Sequence, residues 1–174
     1  MGSNKGTVQV YTGNGKGKTT ASLGAALRAA GHGWHVVMIQ FMKGRLYGEL
    51  ISSREIDGLI IEQYGRDEFV DPLNPEQVDV ELAGKGWSRA KELIDDGKID
   101  MLILDEINVA VSFGLISVKD LAEFIEKKPE RLELILTGRY ADEKIIELSD
   151  TVTEMEEIKH HYRQKIKSRK GIEF

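Results

Sequence analysis

The 174-residue chain contains no cysteine. Disulfides, thiolate metal sites, iron–sulfur clusters and cysteine nucleophiles are therefore excluded, and the composition fits a reducing, cytoplasmic setting. No apolar run approaches the length of a membrane span. The first residues, Met1 to Gly6, lack the apolar core of a secretory signal, and Gly6 stands where a myristoylation signal requires Ser or Thr. Positive charge is not in excess either: 24 Lys and Arg against 29 Asp and Glu give a net charge of −5. That balance argues against a general polyanion binder, so nucleic acid is not expected as a partner. There is no His-x-x-x-His spacing, no arguable Ser-His-Asp set, and no repeat, linker or low-complexity stretch. The length is that of one domain, residues 1–174, large enough to bury a core.

What is present is an alternation of apolar and helical runs. β-like segments are expected at residues 7–11, 35–41, 59–64, 101–104, 132–137 and 151–155. Between them, helical runs are expected from Thr20 to Ala30, from Glu76 to Asp96 with Asn74 or Pro75 at its start, and from Val118 to Lys127 with Ser117 as N-cap. Strands that are apolar throughout must be covered on both faces, so the pattern predicts an α/β fold of three layers around a mostly parallel sheet. The basic tail, Lys159 to Lys170, reads as a solvated terminal helix or a phosphate-facing lid.

The strongest chemical signal is Thr12-Gly13-Asn14-Gly15-Lys16-Gly17-Lys18-Thr19-Thr20, set between the first strand and the first helix. Strand, glycine-rich loop, Lys-Thr and helix make a P-loop. Glycines let successive backbone N–H groups curl towards phosphate oxygens, and the helix adds its positive end. Lys18 would neutralise phosphate charge and the Thr19 hydroxyl would ligate Mg²⁺, with Mn²⁺ as the alternative. The loop is a variant, because Thr12 stands where the strict pattern has glycine. A dinucleotide fingerprint starting at Gly13 fails at Lys18.

A second signal is the apolar strand Met101-Leu102-Ile103-Leu104 running into Asp105-Glu106. In a parallel sheet the carboxyl ends of strands face the ligand crevice, where an acidic residue can hold Mg²⁺ directly or through water. Asp105 and Glu106 are both candidates. Arg139, in Thr137-Gly138-Arg139, and Lys43, in Gln40-Phe41-Met42-Lys43-Gly44, also leave strand ends and are candidates for phosphate contact. His32 and His35 are expected to be polar loop positions, whereas His160 and His161 have better prospects of meeting a ligand. Trp34 and Trp87 are expected to be packing residues. These parts alone indicate a nucleoside triphosphate site and suit a small-molecule kinase or ATPase, or a regulatory ATP-binding module.

In order along the chain, the P-loop, Arg28-Ala29-Ala30-Gly31-His32-Gly33, Gln40 to Gly44, Gly48-Glu49, Leu104-Asp105-Glu106, Thr137-Gly138-Arg139 and Ile158-Lys159-His160-His161 through Gly171-Ile172-Glu173-Phe174 resemble the ATP:cob(I)alamin (corrinoid) adenosyltransferases of the RecA-like type. That family shares the variant first position of the loop. Some members carry Phe-x-Trp in the stretch corresponding to residues 64–75; here Phe69 matches the first aromatic, but the second position is Asp71, which cannot act as a hydrophobic wedge.

The resemblance implies transfer of the 5′-deoxyadenosyl group of ATP to the cobalt of a Co(I) corrinoid, with release of triphosphate. Co(I) is itself a strong nucleophile, so no general base is required. The resemblance assigns catalytic roles to Lys18, Thr19, Glu106 and Arg139. Nucleotide binding falls to residues 12–20 with Lys43 and Arg139, the metal to Thr19, Asp105 and Glu106, and corrinoid contact to Phe69. It further implies that ATP lies reversed in the loop relative to kinases, and that Phe69 and the N-terminal segment help to exclude the lower axial ligand of cobalt. A reduced flavin or flavodoxin is the implied electron donor, and a homodimer the implied assembly.

Overall fold

The computed structural model describes residues 5–174. Residues 1–4, part of the N-terminal segment just assigned to ligand exclusion, lie outside the described residues. Six strands, β1 (Val8–Thr12), β2 (Val36–Phe41), β3 (Leu59–Tyr64), β4 (Met101–Asp105), β5 (Glu133–Thr137) and β6 (Thr151–Glu154), form one sheet in the order β3-β2-β4-β5-β1-β6. Every pairing is parallel. The helices are α1 (Lys18–Ala30), α2 (Gly48–Ser52), α3 (Gln77–Asp96), α4 (Ile107–Ser112), α5 (Val118–Lys127) and α6 (Glu143–Glu147).

Strand periodicity explains the three layers. Side chains alternate between the faces of a strand, so a strand buried on both sides splits its apolar residues between two cores. Val37, Ile39 and Phe41 of β2 and Leu102 and Leu104 of β4 join Ala83, Trp87 and Leu121 from α3 and α5. Their neighbours Val36, Met38, Met101 and Ile103 join Ala26, Ala29 and Ala30 of α1 on the opposite face. Small residues on α1 let it lie close across the sheet. Trp87 is buried and packs against Phe124, with ring centroids 4.9 Å apart, so its role is packing as its sequence context suggests.

The predicted strands and long helices are present, with shifts at their ends. Helix α3 begins one residue later than expected, and its cap is Glu76 rather than Asn74 or Pro75. Glu76 and Asp79 form a reciprocal capping box, which satisfies amide groups at the first turn. Arg66 then ties this corner down, donating to Asp79 at 2.8 Å and to Glu76 at 2.6 Å. Ser117 caps α5 by accepting from the Asp120 amide, as its position predicts. The helices that sequence periodicity does not reveal are α2, α4 and α6, each of five or six residues and too short to display a 3.6-residue repeat. Nor does the basic tail form a regular α-helix: His161–Gln164 is one 3-10 turn, and the chain beyond it is irregular.

Because the strands are parallel, all their carboxyl ends lie on one edge. Backbone strain concentrates there. Met42 after β2, Glu106 after β4 and Tyr140 after β5 take positive φ values of 56°, 62° and 62° without being glycine. Such conformations cost on the order of 1–3 kcal/mol each and gather where a site is built. After β1 the same demand is met by Gly13, at φ 92°. Thr12, by contrast, is still in β1 and extended, which is why the variant position tolerates a side chain.

The pairing of β1 with β6 carries the chain after β6 over the loop. Gly15 donates its amide to the Met155 carbonyl at 2.6 Å. A Cβ on Gly15 would come within 2.6 Å of the backbone oxygens of both Met155 and Glu156. Gly15→Ala is therefore expected to lower stability by about 1–3 kcal/mol through overpacking. Urea unfolding would measure this, and an unchanged midpoint would mean that the two segments yield freely.

Candidate nucleotide site and its cleft

The P-loop runs from the end of β1 into α1, with Gly17 at φ 118° immediately before the helix. Lys18 is buried and folds back on the loop, its Nζ donating to the carbonyls of Gly13 at 2.8 Å and Gly15 at 2.7 Å. Burial pulls its pKa below the usual lysine value, Glu106 opposes that, Arg139 adds to it, and Asp105 opposes it. Asn14 turns to a second, smaller cleft, and Lys16 pairs with Glu173 of the tail at 2.6 Å. Thr20 lines the main cleft together with Gly15 to Thr19.

Asp105 is the centre of the arrangement. It has no solvent exposure, yet its carboxylate accepts from the Thr19 hydroxyl at 2.8 Å and the Thr137 hydroxyl at 2.7 Å through Oδ1. Through Oδ2 it accepts from Lys43 Nζ at 2.7 Å and Gln40 Nε2 at 3.2 Å. These donors come from α1, β5, the loop after β2, and β2. Register explains the convergence: Gln40 is the direct β-partner of Asp105, and Thr137 lies one residue beyond the Leu104–Leu136 pair. Lys43, expected at phosphate, is thus placed on Asp105. Burial lowers its pKa, but the charge and hydrogen bond of Asp105, with Glu106 and Glu49, outweigh burial and hold the ammonium above the ordinary lysine value.

Glu106 differs from its neighbour. Its amide donates to Thr137 Oγ1 at 3.0 Å, and its side chain lines the main cleft. Burial and the adjacent Asp105 charge raise its carboxyl pKa above 4.5, against the opposing pull of Lys43, Lys18 and Arg139. Arg139 is exposed and borders both clefts.

The main cleft has a volume of about 910 Å³ and joins two kinds of surface. At its base are the P-loop, Lys43 and Glu106. Towards its mouth are Phe69, Val70, Tyr140 and the tail residues Tyr162, Ile172 and Phe174. Phe69 is 96% exposed, an apolar ring held in water beside the cleft. The tail covers part of the mouth: Glu173 binds Lys16, Arg169 and His161, with Arg169 and then Lys16 pulling its carboxyl well below the usual carboxylate range. His160 and His161 stack at 4.5 Å and line this cleft. His35 is exposed beside Asp100 at the amino end of β2, away from the cleft, as a loop residue should be. The smaller cleft, about 720 Å³, lies between Asn14, Arg139 and the segment from Glu154 to Gln164.

Sequence reading did not single out the tail's Glu173, nor Gln40 and Thr137 as partners of Asp105. The latter two had a visible signal, a polar residue within an apolar strand that ends beside the P-loop. Among the described residues, no group of three or more His, Cys, Asp or Glu side chains forms a metal cage, and no helix is long and apolar enough to cross a membrane.

A P-loop on β1, an acidic strand end on β4 and one strand, β5, between them define a P-loop nucleotide-binding protein of the RecA-like arrangement. The family model described as ATP:corrinoid adenosyltransferase BtuR/CobO/CobP matches residues 4–174. A corrinoid adenosyltransferase of Sinorhizobium sp. is 42% identical over 173 residues, covering 98% of this chain and 81% of that protein. Those of Escherichia coli and Salmonella typhimurium are 34% and 32% identical over 170 residues, each covering 98% of this chain and 86% of the relative. The chain belongs to the ATP:corrinoid adenosyltransferase family, and it is an enzyme of that class.

The raised Glu106 pKa has a consequence for the metal- and nucleotide-free protein. A carboxyl whose pKa is higher folded than unfolded costs nothing while both forms are protonated. It destabilises as pH rises from 4.5 through the raised value, and the cost persists above it. Glu106→Gln should therefore melt higher than the unaltered chain at pH 8, by roughly 2–4 °C, the equivalent of ~1 kcal/mol at this size. The difference should vanish near pH 4. A melting scan against pH checks this; a lower melting temperature for the variant at pH 8 would contradict it.

Proposed function

We propose that the chain transfers the 5′-deoxyadenosyl group of ATP to the cobalt of a Co(I) corrinoid and releases inorganic triphosphate. The observation that carries this reading is the single cleft in which a phosphate-binding loop at the base meets an apolar, aromatic mouth. An ATPase needs only the base, and a kinase needs beside it a polar site that positions the acceptor. A large flat macrocycle needs the mouth as well.

In this reading the triphosphate lies in the loop with its C5′ end turned towards Phe69 and Tyr140. Co(I) attacks C5′, the bond from C5′ to the triphosphate oxygen breaks, and the electron pair leaves on that oxygen as cobalt becomes Co(III). The demand on the protein is stabilisation of charge on the leaving triphosphate. Backbone amides of residues 16–19, Lys18 and Arg139 meet it from different sides. The Thr19 hydroxyl with the Asp105 and Glu106 carboxylates is a hard oxygen set, suited to Mg²⁺ or Mn²⁺. These three residues would hold the ion together with phosphate oxygens and water. When bound, it would supply further charge neutralisation on the triphosphate.

The same reading gives Phe69 the corrinoid face, with Val70 and Tyr140 beside it in place of the aromatic absent at Asp71. A reduced flavin or flavodoxin as electron donor, a homodimer and a cytoplasmic location complete the proposal and rest on the family resemblance. One domain over residues 1–174 is supported by the continuous sheet.

An anaerobic assay with Mg-ATP and chemically reduced cob(I)alamin tests the reading. Adenosylcobalamin and triphosphate should appear in equal amounts, and Lys18→Ala should reduce both by roughly a hundredfold or more. ADP and phosphate without a cobalt–carbon bond would overturn it. Phe69→Ala should raise KM for the corrinoid well above its effect on KM for ATP. Equal losses for both substrates would remove Phe69 from the corrinoid surface.

A further inference from the structure

Lys43 occupies an unusual position for a phosphate-binding lysine. Its Nζ lies 2.7 Å from Asp105 Oδ2 and 3.4 Å from Thr19 Oγ1, while Thr19 Oγ1 lies 2.8 Å from Asp105 Oδ1. A cation is thus held between a P-loop hydroxyl and the acidic residue at the end of β4. Thr19 gives its hydrogen to Asp105, which leaves its lone pairs turned towards the ammonium. These are the same two oxygen-bearing side chains that would hold a divalent cation.

We propose that Lys43 is a built-in counter-ion that the divalent metal displaces. The ammonium and the metal alternate at Asp105, and Lys43, once released, is free to reach the triphosphate. This inference rests on the reading of Thr19 and Asp105 as metal-holding residues. It also reconciles two demands on one side chain, the pairing with Asp105 and the phosphate contact expected from the position of Lys43 after β2.

Electrostatics requires alternation. Asp105 is fully buried, so its charge must be compensated in every state of the protein. A monovalent and a divalent cation cannot share one carboxylate at this distance without strong repulsion in a poorly screened site. Lysine suits exchange better than arginine, being a compact charge on a flexible stem. The stem has somewhere to go: Lys43 is 17% exposed, borders the main cleft and has the Tyr47 ring 5.6 Å from its Nζ, a face that can receive a displaced ammonium. Gln40 and Thr137 remain on Asp105 throughout and keep it oriented.

The experiment titrates Mn²⁺ alone into the nucleotide-free full chain and reads free Mn²⁺ by electron paramagnetic resonance. Lys43→Met keeps the length of the side chain and removes its charge, so its Mn²⁺ dissociation constant should fall at least about tenfold. Circular dichroism establishes that the variant is folded. A second measurement needs no variant: acetylation of Lys43 in the unaltered chain, read by peptide mass spectrometry, should rise several-fold when Mn²⁺ binds. An unchanged affinity in folded Lys43→Met overturns the proposal, as does Lys43 labelling indifferent to bound Mn²⁺. Adenosyl transfer is assayed separately. Transfer without exchange refutes the exchange alone, and exchange without transfer refutes the transferase reading alone.

Discussion

A carboxylate with no access to water lies at the centre of the carboxyl edge of the sheet, and the geometry around it follows from the need to satisfy it. Removing an ionised carboxylate from solvent costs several kcal/mol unless hydrogen bonds and an opposite charge replace the lost water. Asp105 obtains two hydroxyls, an amide and an ammonium. Each comes from a different part of the chain, so satisfying one side chain fixes the relative position of the P-loop helix, β2, β5 and the loop after β2.

Backbone strain gathers at the same edge. Three non-glycine residues with positive φ follow three strand ends, and each redirects the chain so that a side chain can face the cleft. Glu106 carries the largest burden, combining left-handed backbone with a carboxyl pushed towards neutrality by burial and by Asp105. The two cores on either face of the sheet supply the stability that such a region draws upon. The cleft brings the P-loop and its polar donors together with exposed aromatic side chains such as Phe69, Tyr140 and Tyr162.

Much of this was legible in the chain itself. Glycine spacing, Lys18-Thr19 and the flanking runs identify a P-loop because each residue type has a local mechanical reason to be there. The apolar strands identified the layers, since a strand without polar alternation has no face to give to solvent. The short helices α2, α4 and α6 were hidden, because five or six residues make less than two helical turns. The cap of α3 was misplaced by one or two positions, because Glu76 draws its capping role from a reciprocal bond with Asp79 and from Arg66. A solvated terminal helix was open to the basic tail, yet Glu173 gathers Lys16, Arg169 and His161 over the cleft in irregular backbone.

By itself, then, the sequence determined what is encoded locally: the glycine-rich P-loop, the periodicity of strands and long helices, the acidic strand end, and an ordered set of motifs specific enough to point to the family. Tertiary structure decided the pairings: that Lys43 sits on Asp105, that Gln40 and Thr137 complete its shell, that Lys16 is held by Glu173, and that Phe69 and the tail share a cleft with the P-loop. The physical reason is range. Backbone conformation and amphipathic patterning depend on residues a few positions apart, whereas the partner of a buried charge is set by strand order and register, which join residues that are 32, 62 or 157 positions apart in the chain.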